Sequence, residues 1–289
     1  MRVSVTHTTR LEYDGEVTEG VMDVRLGPLT DAHQRWGRHE LRVSPSGAVR
    51  RYQDGFRNEA HLITVPRPHN FVEVVSAGIV YTLLDNPFTP PPGPPRPLTS
   101  SQLFDYLRPS KLVALGDEVA RLARPHRPSS PDSSLDAVGA LNTLVYESFA
   151  YEKDVTTIST TVTEVLESKS GVCQDFAHVL LALCRSLEIP ARYVSGYLIA
   201  DESATGASGA PAAEGKPSRG AGASHAWVEA WTPTHGWRGF DPTNNVLASE
   251  NHVKMALGRD YSDVPPSRGL NRGSATEKLS VEVTTKVLD

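Results

Sequence analysis

Two cysteines occur among the 289 residues, Cys173 and Cys184, and only the first stands where a thiol gains reactivity. The run Ser170-Gly171-Val172-Cys173-Gln174-Asp175-Phe176-Ala177 breaks the chain at Ser170-Gly171 and then reads as a helix reaching Glu188. Cys173 therefore falls in a first helical turn, where unpaired N–H groups and the positive end of the helix dipole favour the thiolate. Such a thiolate is a nucleophile for acyl transfer. A free cysteine is also at home as a small buried hydrophobe, the expected place of Cys184 in the apolar run that starts at Val179. Eleven positions separate the two thiols, which on a helix puts them roughly 16 Å apart along the axis. That is too far for a disulfide or a shared metal. No pair of histidines shows ligand spacing on a helix either, so neither metal nor cofactor is expected.

A thiol nucleophile needs an imidazole within reach, and that imidazole needs a third group to fix its tautomer. Ten histidines compete for the role. His178, five residues after Cys173, is rotated about 140° from it on a helix and should face elsewhere. His225 opens the strand-like run to Trp231, whose alternation puts His225 and Trp227 on one face and Ala226, Val228 and Ala230 on the other. Asp241 ends the next strand-like run, before Pro242, where an acid can turn to a neighbouring imidazole or serve as an ordinary turn former. Pattern alone selects neither His225 nor Asp241. A five-residue loop from Thr232 to Gly236 would leave Asp241 displaced along the strand from the position opposite His225. Direct pairing then requires a turn centred nearer Pro233, or a bulge.

The elements that must hold these residues divide the chain. Up to residue 85, short β-branched runs such as Val3 to Thr9, Leu41 to Ser44, His61 to Val65 and Val72 to Val80 alternate with turn-formers, Ser46-Gly47 and Asp54-Gly55 among them, which predicts an all-β module. Residues 86–98 contain seven prolines in thirteen positions and read as a stiff linker. From 99 to 289 helices and strands mix. A helix is predicted over Ser134 to Tyr151, a second capped by Thr161 and Glu164, and strands over Ala191 to Ala200, Ser224 to Thr232 and Trp237 to Asp241. Residues 201–223 interrupt the strands with 23 residues, 17 of them Ala, Gly, Ser or Pro. They are expected to form a loop beside His225 that is either a gate or a plain surface insertion. Lys278 to Leu288 alternates as a strand that could pair with either module.

Bulk composition narrows the function. With 29 Lys plus Arg against 34 Asp plus Glu, a formal charge of −5 gives no basic footprint for nucleic acid. The N-terminus lacks the apolar core of a signal peptide, and no run of 18 apolar residues follows, so a cytoplasmic protein with no membrane partner is expected.

Four motifs, in order, resemble the bacterial transglutaminase-like family: Gly171-Val172-Cys173-Gln174-Asp175-Phe176-Ala177-His178, Ile189 to Tyr197, Ser224-His225-Ala226-Trp227-Val228-Glu229, and Gly239-Phe240-Asp241-Pro242-Thr243-Asn244. The segment His252 to Tyr261 with Asp263-Val264-Pro265-Pro266 is similar to that family's C-terminal extension, and the first module resembles the β-rich region that precedes it. The resemblance implies an α+β fold: a papain-like transglutaminase core preceded by an all-β N-terminal domain. It also implies a triad of Cys173 as nucleophile, His225 as base and Asp241 as its partner. The implied activity is thiol-dependent acyl transfer on an amide carbonyl of a peptide or protein substrate, as hydrolysis in the manner of a cysteine protease. The alternatives are protein-glutamine transamidation or a non-catalytic binding module on the same fold. Some relatives supply an oxyanion donor upstream of the cysteine from Gln or Trp. Residues 151–172 hold neither, which leaves Tyr151 as the candidate beside the Cys173 N–H.

Overall fold

The computed structural model describes residues 1–199, 219–220, 222–273 and 275–288. The N-terminal strands follow the period-2 pattern. In β1 (Arg2–Val17) the buried positions run Val3, Val5, His7, Thr9, Leu11 and Tyr13. With β2 (Glu19–Val24), β3 (Gln34–Ser44), β4 (Ala48–Gln53), β5 (Glu59–Val65) and β6 (His69–Thr82), it builds a strand-rich first module. Leu11, Met22, Ile63, Val72 and Val74 fill its centre.

The C-terminal strands complete this module rather than extending the second one. β14 (Ser267–Arg272) pairs with β2, and β15 (Glu277–Val287) pairs along β1 from Val3↔Val287 to Tyr13↔Glu277. The sheets are therefore β15-β1-β6-β3 and β14-β2-β5-β4. A single unit from 99 to 289 does not describe them, because the alternation of β15 fits the open edge of β1.

The second module carries α1 (Ser100–Leu107), α2 (Asp117–Ala123), α3 (Ser134–Ser148), α4 (Val162–Ser168) and α5 (Cys173–Ser186). Its helices pack on a five-stranded sheet of order β12-β11-β10-β9-β13. These strands are β9 (Ala191–Leu198), β10 (Ser224–Thr232), β11 (Gly236–Asp241), β12 (Val246–Leu247) and β13 (His252–Gly258). Leu141, Val145, Phe176, Leu180, Val228 and Phe240 lie in one buried cluster that joins α3 and α5 to the sheet. The predicted capping box of α4 is present, with Thr161 N donating to Glu164 Oε2 at 2.7 Å. The helix expected to run to Tyr151 stops at Ser148. Ala150-Tyr151 (β7) instead pairs in parallel with Ser170-Gly171 (β8), where Ala150 N donates to Lys169 O at 2.8 Å and Glu152 N to Gly171 O at 3.0 Å.

Residues 86–98 hold no helix or strand, but their first part is docked: Arg238 donates to Pro87 O and Thr89 O, both at 2.9 Å. The expected loop at 201–223 lies largely outside the described residues. Among the described residues no helix is long and apolar enough to cross a membrane.

The two modules share structure. Val3, Val5 and Val80 of the first cluster with Tyr197, Val253 and Met255 of the second, and His7 Nδ1 meets the Tyr197 hydroxyl at 2.8 Å. Strand β13 is the edge of its sheet, and two side-chain amides pair with its open backbone. Gln34 exchanges hydrogen bonds with Lys254 N and O at 2.8 and 2.7 Å, and Asn58 does the same with Leu257 at 2.7 and 2.7 Å. An uncovered edge is an aggregation template. Deleting residues 1–83 is therefore expected to leave the second module insoluble or unfolded. A soluble fragment with native-like circular dichroism would contradict the shared core.

Candidate active site

The local sequence explains why a thiol sits at the head of α5. The Asp175 carboxylate folds back over the first turn and accepts from Val172 N at 2.8 Å and Thr156 Oγ1 at 2.7 Å, satisfying backbone that the helix leaves free. Gly171 makes room for it, since a Cβ there would lie 2.7 Å from Asp175 Oδ2. Cys173 is half-buried at this N-terminus. Cys184 is fully buried, and burial pushes its thiol up to about 12, so it is inert. His178, expected to turn away from Cys173, is engaged elsewhere. Its Nε2 accepts from Tyr261 N at 3.2 Å, its ring packs on Tyr193, and burial lowers it to about 4.

The hairpin that carries His225 and Asp241 is tighter than its sequence suggests. Thr232 pairs with Gly236, so the loop is Pro233-Thr234-His235, and the ladder runs back to Val228↔Phe240. Continued by one pair, that register sets Asp241 opposite Trp227, which shares a face with His225. A register one residue longer would have put Asp241 opposite Val228, on the other face. Asp241 is thus a diagonal neighbour of His225, and the side chains lean together to 2.8 Å between Nε2 and Oδ2. No bulge is needed.

Asp241 is completely buried and accepts from five donors. Thr243 N and Asn244 N reach Oδ1 at 2.9 and 3.3 Å; Asn244 Nδ2, His225 Nε2 and His252 Nε2 reach Oδ2 at 2.8, 2.8 and 3.4 Å. Burial by itself would raise the carboxyl, but His225 and then His252 outweigh it and hold it well below the usual carboxylate range. His252 Nδ1 accepts from Ser249 N at 3.4 Å, which places the ring proton on Nε2, toward Asp241. Burial lowers His252 despite that carboxylate, so it is a neutral donor.

His225 carries the opposite balance. Burial pulls it down, yet the Asp241 charge and hydrogen bond, reinforced by the Cys173 sulfur, raise it from 6.5 to about 10. With Nε2 committed to Asp241, the remaining nitrogen, Nδ1, has no hydrogen-bond partner among the described residues, and the Cys173 side chain lies near enough to the ring to raise it. Because the folded state holds the imidazole proton more tightly than the unfolded chain, this contribution to stability is full below about pH 6.5 and is lost as pH rises through about 10. The difference in melting temperature between the wild type and His225→Gln is expected to shrink between about pH 6 and about pH 10.5. A difference that stays flat over that range would contradict a charged imidazole.

Tyr151 reaches the site through the β7–β8 pairing, which aligns it with Gly171. Its ring stands edge-on to Phe176 at 6.1 Å, and its hydroxyl is raised by burial and then by the charge of Cys173. On its other side lies Arg219, whose guanidinium carbon is 5.3 Å from the Tyr151 centroid and 5.4 Å from that of Tyr146. Asn244 fixes the Arg219 backbone, receiving from its N at 2.9 Å and donating to its O at 3.1 Å. The next residue, Gly220, lies against the His225 ring at φ +90°, and a Cβ there would fall 2.4 Å from Nδ1.

Cys173, His225 and Asp241 thus converge, whereas Asp175, His252, Asn244 and Arg219 had no role assigned from sequence. Asn244 and Asp175 lay inside the motifs, and the carboxylate at the third helical position was a readable cap. Nothing in the sequence pointed His252 or Arg219 at the site. Among the described residues no group of three or more His, Cys, Asp or Glu side chains is arranged to hold a metal ion.

Residues 121–242 match the model of the transglutaminase-like superfamily, and residues 3–81 match that of the bacterial transglutaminase-like N-terminal region. An uncharacterized protein of Mycobacterium tuberculosis is 33% identical over 305 residues, covering 98% of this chain and 92% of its own, and one of Mycobacterium leprae is 30% identical over 295 residues, covering 98% and 97%. A solved structure from Cytophaga hutchinsonii, described as a "Putative Cysteine Protease", superposes with a TM-score of 0.74 at 21% identity over 100% of this chain and 92% of that one. That likeness gives the fold. With the motif order, the strand-rich first module and full-length relatives in agreement, this chain belongs to the transglutaminase-like superfamily and carries the bacterial transglutaminase-like N-terminal region.

Proposed function

We propose that the protein breaks amide bonds by thiol-dependent acyl transfer, with Cys173 as nucleophile, His225 as acid and base, and Asp241 as the group that orients His225. The observation that carries this reading is the division of the His225 ring, with Nε2 held by Asp241 at 2.8 Å and Nδ1 left for the cysteine. The Cys173 thiolate attacks the carbonyl carbon of a peptide or glutamine amide, and the imidazolium gives its Nδ1 proton to the departing amine as the C–N bond breaks. Neutral His225 then takes a proton from water, hydroxide attacks the thioester, and the thiolate leaves with the starting ion pair restored.

The Cys173 N–H is one oxyanion donor in this scheme and the Tyr151 hydroxyl the second. Tyr151→Phe is expected to lower kcat by a factor on the order of 10² with little change in KM. Unchanged turnover would remove Tyr151 from the mechanism.

Hydrolysis is the favoured outcome. Transamidation is a second reading because a protein-glutamine gamma-glutamyltransferase of Pseudomonas aeruginosa is 33% identical over 143 residues, 44% of this chain and 19% of that protein. Incubating the protein with a glutamine-containing peptide, with and without a primary amine, and weighing the products separates them. Cleaved or deamidated peptide in both tubes supports hydrolysis, an amine conjugate supports transamidation, and no product that depends on Cys173 overturns both.

A further inference from the structure

We propose that Arg219 is a recognition residue for a carboxylate on the substrate, beside the acyl group presented to Cys173. The inference rests on the reading of Cys173 as the nucleophile and adds to it the charge of what is bound. Other arginines on or near the catalytic sheet spend their donors inside the protein. Arg192 stacks on Trp237 at 4.0 Å and also donates to Glu229 at 2.8 Å; Arg238 and Arg185 donate to backbone carbonyls. The Arg219 guanidinium has neither a carboxylate nor a hydrogen-bond acceptor among the described residues. What it has is two aromatic rings, Tyr146 and Tyr151.

Stacking of this kind fixes the guanidinium while leaving its N–H edge open, the arrangement that suits forked binding of a carboxylate. Its location ties it to the chemistry. Tyr151 lies close enough to Cys173 to feel the thiolate charge, Gly220 touches the His225 ring, and Asn244 holds both Arg219 and Asp241. A side chain serving only to pin the chain would not need this address, because Asn244 already pins the backbone.

The test uses the full-length protein and two small reagents, iodoacetate and iodoacetamide, which differ in carrying a carboxylate. The rate of modification of Cys173 by each is followed by peptide mass spectrometry, and the ratio of the two rates is read so that any common change in thiol reactivity cancels. His225 also favours the anionic reagent, but it is present in every protein compared. Arg219→Gln is expected to lower the iodoacetate-to-iodoacetamide ratio on the order of 10-fold. Arg219→Lys, which keeps the charge without the stacked fork, is expected to fall between, and high salt to narrow the gap. A ratio within about twofold of wild type in both variants overturns the proposal and leaves the nucleophile standing. Slow modification of Cys173 by both reagents in the wild type overturns the nucleophile and the proposal together. Peptides with Glu or Gln near the scissile amide, with amidated or free C-termini, then separate an acidic side chain from a chain terminus as the source. Preference for neither over the neutral, amidated control overturns the assignment.

Discussion

Asp241→Asn is expected to lower turnover by a factor on the order of 10² to 10⁴. The carboxylate accepts at Oδ2 from His225 Nε2, which leaves Nδ1 free for the proton that the proposed mechanism takes from and returns through the ring. An amide nitrogen at that position would donate instead, forcing the ring proton onto Nδ1 and the lone pair onto Nε2, the wrong tautomer for catalysis. The imidazole would also lose the charge that raises it to about 10. A stability cost follows that the sequence alone does not foresee, since an exposed turn acid could be exchanged with little loss. Here Asn244 Nδ2 and His252 Nε2 also point at Oδ2. An asparagine leaves donors facing donors either way, its amide nitrogen meeting Asn244 Nδ2 and His252 Nε2 at one position or the Thr243 and Asn244 N–H groups at the other, so about 1–3 kcal/mol of unfolding free energy should be lost. Steady-state kinetics and chemical denaturation check both parts, and full turnover in a folded variant would reduce the site to a Cys-His pair.

Cys173→Ala is expected to abolish amide-bond activity, with residual rates lower by a factor on the order of 10⁵ or more. Cys184 cannot substitute, being fully buried with its thiol pushed up to about 12. The variant should fold normally, because the α5 N-terminus is held by Asp175 and Thr156 rather than by the sulfur. Activity retained in Cys173→Ala would show that another group performs the chemistry.

Much of the site could be read from the chain because helix starts and strand alternation are local. The Ser170-Gly171 break put Cys173 in a first turn, and the alternation after His225 assigned its face correctly. The loop is three residues rather than five, but both are centred on Thr234 and share one register, so what local pattern did not show is that Asp241, a diagonal neighbour on the face of His225, leans to within 2.8 Å of it. The apolar period extends the predicted helix to Tyr151, but pairing with Ser170-Gly171 overrides that preference and brings the ring to the site. The role of His252 depends on a contact between non-adjacent strands of one sheet, and those of Gln34 and Asn58 on contacts across modules, as does the partner of β15. No local pattern encodes such contacts, so they were not legible. The family resemblance supplied the three residues, and the structure supplied the reason that they can act together.

The proposed chemistry passes through a covalent acyl intermediate on Cys173, and the most direct measurement is to trap it. Mixing the protein with a reactive ester such as p-nitrophenyl acetate, quenching in acid within the first turnover and mapping the acetyl group by mass spectrometry needs no knowledge of the natural substrate. The expected result is one acetyl group on Cys173, released by hydroxylamine, absent in Cys173→Ala and formed much more slowly in His225→Gln. Acetylation at Cys184 or a lysine with none at Cys173, or a Cys173 adduct that forms equally fast without His225, would contradict it.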